Sequence, residues 1–318
     1  METYKVENDH LMIEVLDYGA TLTSLYVKKY ETDVVLGFYN VEKYQNEGKY
    51  IGQTIGRVAN RIALGEFVLD DVKYNIKPNN GPNLLHGGEN GLDNKIFKII
   101  KENNQISCYY TMEDMEDGFP GKIDIIVKYT LNDNALEISY EAKSDKNTLC
   151  SLTNHSFFNL LGQGSIEDHE LMVNADRVGT IDEDGLTLNE TFSVENTPFN
   201  FLDLKEIKQT LVSNHPQILL GKGLDHNFCL NSTGFKHKAT LKINDRKMKV
   251  YTDLVNMHVY SGNYLDNQLG KNNIVYSPRS GICFETQEYP NSINLTDHDK
   301  PILLANKKYT KRTKFVFE

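Results

Sequence analysis

The chain of 318 residues has no tryptophan, only four cysteines and no excess of positive charge. Each shortage excludes something. The formal net charge of −10 argues against a nucleic-acid partner, whose phosphates need a basic footprint, and against docking on an anionic membrane surface. Cys108, Cys150, Cys229 and Cys283 form no C-x-x-C pair, so they read as reduced, mostly buried thiols of a reducing compartment. No apolar run approaches the ~20 residues that cross a bilayer. Met1-Glu2-Thr3-Tyr4-Lys5 has no apolar stretch behind it and does not read as a signal peptide. The expected compartment is the cytoplasm. There is no Gly-rich phosphate loop, no dinucleotide fingerprint and no nucleophile elbow. The nine histidines include no close zinc-type pair, so neither a metal nor a cofactor is expected.

What is present is mostly strand signal. Short runs rich in β-branched and aromatic residues, bounded by turn residues, recur along the chain. They cover residues 11–16, 21–27, 67–74, 97–100, 106–112, 123–131, 136–143, 171–173, 239–243 and 249–254. Helical spacing is rare. Ile55, Val58, Ala59 and Ile62 allow a turn or two of helix, and residues 204–212 are a second short candidate. Many short strands and few helices predict an all-β sandwich or barrel. No linker, repeat or composition break divides the chain, so residues 1–318 read as one domain.

Five polar islands interrupt the apolar pattern. In Gly56-Arg57-Val58-Ala59-Asn60-Arg61-Ile62, a helix would put Arg57 and Arg61 on one face. Pattern alone favours two surface arginines over a ligand-holding Asn–Arg pair. In Leu85-His86-Gly87-Gly88, two glycines allow a close approach of backbone and ligand. His155, inside Leu152-Thr153-Asn154-His155-Ser156-Phe157-Phe158-Asn159-Leu160, reads first as a satisfied core histidine. Gly223-Leu224-Asp225-His226-Asn227 reads as a turn as readily as a site. In Gly281-Ile282-Cys283-Phe284-Glu285-Thr286-Gln287, alternation puts Cys283, Glu285 and Gln287 on one strand face. That face is either exposed and polar or holds a desolvated base.

Taken together and in this order, the islands resemble the aldose 1-epimerase family. The resemblance spans nearly the whole chain, from Asp17-Tyr18-Gly19-Ala20 and Asp33-Val34-Val35-Leu36-Gly37 through Asp117-Gly118-Phe119-Pro120-Gly121 to Glu285-Thr286-Gln287. It implies a large antiparallel β-sandwich with a sugar in an open cleft. It implies Glu285 as general base, His155 as general acid and His86 as a second active-site histidine. Asn60, Arg61 and Asp225 match substrate-holding positions, and Gln287 is added by strand geometry. The implied chemistry is exchange of the α and β anomers of a free monosaccharide such as galactose or glucose, with no cofactor. Association is expected to stop at a monomer or homodimer. The chain departs from the family pattern at Glu288, at Val178-Gly179-Thr180-Ile181 before Asp182-Glu183-Asp184-Gly185-Leu186, and at Ala305-Asn306. Three rivals remain at this point. A hexose-phosphate epimerase would lean on Arg57. A glycoside hydrolase would pair Asp225 with Glu285. A non-catalytic sugar sensor would keep the fold without the chemistry.

Overall fold

A computed structural model describes residues 1–47 and 50–318. Two large antiparallel sheets form its body. The larger has nine strands, in the order Lys98–Lys101, Gln105–Met112, Ile123–Asn132, Ala135–Ser144, Lys308–Phe317, Arg246–Thr252, Lys236–Ile243, Glu170–Val173 and Lys205–Glu206. The smaller has six: Phe157–Phe158, Ile282–Gln287, Asn256–Tyr260, Asp225–Leu230, Ala175–Ile181 and Thr187–Ser193. An N-terminal sheet of four strands runs Thr3–Glu7, Leu11–Leu16, Thr21–Val27 and Thr32–Asp33.

Alternation explains how the large sheets pack. Along Ile123–Asn132, Ile123, Ile125, Val127, Tyr129 and Leu131 are buried while their neighbours are half-buried or exposed, the period-2 pattern of a strand with one face on a core. The six-stranded sheet sends Ile282 and Phe284 into the same core cluster as Phe158 and Phe315. The Phe158 and Phe315 rings, from opposite sheets, have centroids 4.8 Å apart. Thr286 bonds Thr313 across the same gap. The other face of Ile282–Gln287 therefore points away from the core, and there the cleft lies.

Most sequence-predicted strands appear, some with the same ends: Leu11–Leu16 and Thr21–Val27. Two expectations are corrected. Residues 67–74 form a hairpin of Glu66–Leu69 and Val72–Asn75, because Asp70 and Asp71 adopt left-handed φ of 51° and 61° and turn the chain. The helical spacing at Ile55–Ile62 is accidental. The segment is extended, with Thr54–Ile55 paired to Thr153–Asn154, Arg61–Ile62 paired to Leu84–Leu85, and Val58 bridged to Ser151. Ile55, Val58, Ala59 and Ile62 are all buried along an extended segment, so their spacing carries no helical face. The other helix candidate is realised as Ile207–Leu211. Among the described residues no helix is long and apolar enough to cross a membrane.

Remote from the cleft, His169 is buried and accepts the Leu160 N–H on Nε2 at 3.2 Å. Burial pulls its pKa down to about 4. The folded chain therefore keeps His169 neutral while the unfolded chain takes up a proton below about 6.5, so stability is lost as pH falls from about 6.5 to about 4. His169→Gln should reduce the stability lost between pH 7 and pH 5 by roughly 2 kcal/mol. Denaturant melts of both proteins at the two pH values check this. An unchanged pH difference contradicts it.

Candidate active site

The three central strands of the six-stranded sheet build the floor of the cleft. Their register sets Glu285 opposite His258 and Cys283 opposite Tyr260. It sets Asp225 opposite Tyr260 and Asn227 opposite His258. Side chains directly opposite on one face lie in contact, so Asp225, His258 and Glu285 share a polar floor. The exposed-face alternative for Cys283, Glu285 and Gln287 is corrected: every residue from Ile282 to Gln287 is buried. Asp225 begins a strand rather than a turn. The cleft encloses about 610 Å³.

His155 enters between the short strands Thr153–Asn154 and Phe157–Phe158. Its amide donates to Gln53 O at 2.9 Å and its carbonyl accepts from Gly52 N at 3.0 Å. Asn154 accepts from the Ser156 amide and hydroxyl and donates to Gly52 O. The Asn-His-Ser run thus fixes the histidine through its neighbours. The core-histidine reading is corrected. The ring is 5% exposed because it lines the cleft between Tyr50, Phe157 and Tyr260. Its Nδ1 lies 3.5 Å from Cys283 Sγ, and its Nε2 lies 3.7 Å from Glu285 Oε1. Glu285 is 1% exposed, and its second oxygen has no hydrogen-bond partner among the described residues.

His86 is held differently. Its Nδ1 accepts the Asn60 N–H at 3.1 Å, and its own amide donates back to Asn60 O at 3.0 Å. Both residues adopt left-handed backbone, φ 62° at Asn60 and 55° at His86. An asparagine tolerates this conformation through local hydrogen bonding, and the Asn60 side chain accepts the next amide, Arg61 N, at 2.8 Å. Burial lowers the His86 pKa well below the usual histidine range, aided by His155, Arg61 and His258. The ring is therefore neutral, with its proton on Nε2. Gly87 serves the backbone, since a Cβ there would lie 2.1 Å from Gly56 O.

His86, His155 and Glu285 bring their donor atoms within 4.8 Å of one another. Two histidines and a carboxylate are a metal-type set in kind. The set does not suit a metal in detail, because the Asn60 amide occupies Nδ1 of His86 and leaves a proton on the nitrogen that would have to bind.

Arg61 also lines the cleft. Its Nε donates to Asn80 Oδ1 and its Nη1 to Gly185 O, each at 3.0 Å. Asp225 accepts from His258 Nε2 at 2.7 Å. Burial pushes the Asp225 carboxyl up, but His258, Arg61 and His226 outweigh it and hold the pKa below the usual range. Asp225 is thus a carboxylate at neutral pH.

Two expectations fail here. Arg57 does not share a face with Arg61. It is fully buried, and it donates to Pro120 O, Gly121 O and Thr148 Oγ1. An arginine spent on inward carbonyls cannot hold a phosphate, which removes the basis of the hexose-phosphate reading. Gln287 lies on the floor side but two residues below Glu285, opposite Asn256, fully buried and outside the cleft lining. Alternation gave its face correctly, and its depth rules out contact with a ligand in the cleft. Glu288 is likewise away from the cleft, paired with Lys311 at 3.2 Å.

Sequence reasoning missed Tyr50, His258, Tyr260 and Tyr264, which line the cleft. Tyr50 stacks edge-on to His86 with centroids 4.6 Å apart. The alternation of Asn256, His258 and Tyr260 was a usable signal, since polar residues at every second position mark a strand face.

The model of the family described as aldose 1-epimerase matches residues 2–316. A galactose mutarotase from Sus scrofa is 39% identical over 100% of this chain and 94% of its own length. A galactose 1-epimerase from Lactobacillus acidophilus, 31% identical, superposes with a TM-score of 0.88 over 99% of this chain and 94% of its own. An aldose epimerase homologue from C. elegans, 28% identical, superposes with a TM-score of 0.93 over 100% of this chain and 98% of its own. With two facing sheets and a cleft that gathers His86, His155 and His258 with Arg61, Asp225 and Glu285, this chain belongs to the aldose 1-epimerase family and is an isomerase that interconverts the anomers of aldoses.

Proposed function

We propose that the cleft opens and recloses the ring of D-galactose, with Glu285 as base and His155 as acid. The observation that carries this reading is the 3.7 Å between His155 Nε2 and Glu285 Oε1 at the cleft floor. The anomeric hydroxyl oxygen and the ring oxygen of a hexose sit on one carbon. A base and an acid this close can therefore serve both.

In the opening step Glu285 takes the proton of the anomeric hydroxyl. The C1–ring oxygen bond breaks as the C1 carbonyl forms, and its electron pair goes to the ring oxygen, which takes the proton of the His155 imidazolium. The C1–C2 bond rotates. Closure on the other face returns each proton by the reverse route. His86 is a poor acid for this work, because burial keeps it neutral. Its Nε2–H instead donates a fixed hydrogen bond into the cleft. This gives a physical ground for choosing His155 that residue pattern alone lacks.

Arg61, Asn60 and the carboxylate of Asp225 hold the hydroxyls, and His258 fixes the Asp225 oxygen that it bonds. Asp225→Ala should raise KM for α-D-galactose by more than about tenfold, since a charge-assisted hydrogen bond is worth roughly 1.5–3 kcal/mol. Polarimetric initial rates over a range of sugar concentrations check this, and an unchanged KM removes Asp225 from substrate holding. The Sus scrofa relative's name supports galactose as the sugar. Glucose differs from it in one hydroxyl and is the second sugar to assay.

We further place the protein in the cytoplasm as one folding unit, monomeric or homodimeric. Four free thiols support the compartment, and light scattering after size exclusion reads the assembly.

A further inference from the structure

Residues 261–281 leave the strand Asn256–Tyr260 and return as the strand Ile282–Gln287. On the way they supply Tyr264, Leu265 and Gln268 to the cleft. Both ends are set by the strands that carry His258 and Glu285. The middle is set by the other side of the molecule. Lys271, 5% exposed, reaches into the N-terminal sheet, where its Nζ donates to Thr23 O at 2.8 Å and to the Asp33 carboxylate at 2.6 Å. Asp33 is itself fixed, accepting from the Ser24 hydroxyl at 2.7 Å and the Leu25 amide at 3.1 Å.

A second hook lies beside the first. The Tyr276 hydroxyl donates to Gly37 O at 2.9 Å and accepts from the Gly37 and Lys271 amides. The two hooks sit in one small hairpin, in which Gln268–Leu269 pairs with Val275–Tyr276. A Cβ on Gly270 would lie 2.0 Å from the Tyr276 ring, so the segment closes tightly on that ring.

A buried lysine is an uneconomical way to hold a loop down. Two charges lose their water, and a well-packed apolar side chain of similar volume is often as stable or more so. What a charged pair adds is direction: a short charge-assisted bond to a fixed oxygen defines one position where apolar contact allows several. The direction matters here because the same segment faces the sugar.

We propose that Lys271 is a positioning residue for substrate: through Asp33 it sets Tyr264, Leu265 and Gln268 at the mouth of the cleft. This inference rests on the cleft being the sugar site. It assigns no chemistry to Lys271. His155 and Glu285 are held by their own strands, so the anchor acts on binding and leaves the chemical step alone.

The test is Lys271→Met, with Tyr276→Phe beside it. The first keeps the length of the side chain and removes its charge. The second loosens the neighbouring hook, at the cost of the Gly37 amide's partner, and leaves the Lys271–Asp33 pair in place, so it tests the anchoring of the same segment if the first does not fold. In each folded variant KM for α-D-galactose should rise about five- to twentyfold while kcat stays within about twofold of wild type, the pattern of lost ground-state binding. A lowered melting temperature with KM unchanged means that the anchor is purely structural and overturns the proposal. A fall in kcat as large as the rise in KM in folded protein overturns it too. Failure of the wild type to exchange anomers at all would instead strike the sugar-site reading itself.

Discussion

Glu285→Ala is expected to lower kcat for galactose anomer exchange by 10²- to 10⁴-fold, the usual range for a positioned general base, while KM changes little. This corresponds to about 3–5 kcal/mol of activation free energy. Two features of the site make the effect large. The carboxylate is 1% exposed and is fixed at the cleft floor, and a water that took its place would be a far weaker base. It also sits 3.7 Å from His155, the proposed partner in proton exchange on the same carbon's oxygens. The variant should remain folded, since one Glu285 oxygen is buried without a partner among the described residues and its removal relieves a polar group that costs free energy where it stands. Steady-state polarimetry gives kcat and KM, and a thermal melt shows that the fold is kept. Near-normal kcat in folded Glu285→Ala would remove the base from the mechanism.

His155→Ala should produce a loss of the same order, 10²- to 10⁴-fold in kcat, and His86→Ala a clearly smaller one. The two histidines stack edge-on with centroids 5.4 Å apart, so position alone does not rank them. Hydrogen bonding does. His86 has Nδ1 committed to a backbone amide, and burial keeps it uncharged. It offers one neutral hydrogen bond, worth about 0.5–1.5 kcal/mol, which is roughly a tenfold effect. His155 has no such backbone tie on its ring. Among the described residues its Nδ1 meets only the thiol of Cys283, and its Nε2 faces Glu285. Comparing the two single variants under one set of conditions checks the ranking, and a larger loss in His86→Ala would exchange their roles.

How much of this was legible in the sequence varies from segment to segment. The strands that pack one face on the core were clear, because a period of two needs one wet face to show. Ile123–Asn132 displays it plainly. Strands buried on both faces lose that signal. Asn256–Tyr260, with four of five residues buried, keeps only an alternation of polar and apolar side chains over five residues, and His258 was missed with it. The extended stretch from Ile55 to Ile62 misled in the opposite way, since its buried apolar residues happened to fall at helical spacing. Local pattern also cannot tell which way an arginine points. Arg57 and Arg61, four residues apart, end in different surroundings, one capping inward carbonyls and one lining the cleft. The site residues His86, His155, Asn60, Arg61, Asp225 and Glu285 were found because the family resemblance joins islands that are weak one by one. The structure brings those six to one cleft. Gln287 came from strand geometry, which gives a face but not a depth, and it alone of the seven lies outside.

The most direct test of the acid–base pair uses the isosteric variant. Glu285→Gln keeps the shape of the side chain and removes its capacity to take a proton. The measurement is the decay of optical rotation of freshly dissolved α-D-galactose, followed with wild type and with Glu285→Gln at equal concentration. Wild type should bring the rotation to its equilibrium value much faster than buffer alone, and the variant should fall close to the buffer rate. A variant that keeps pace with wild type would show that the carboxylate is not the base and that the cleft works by other groups.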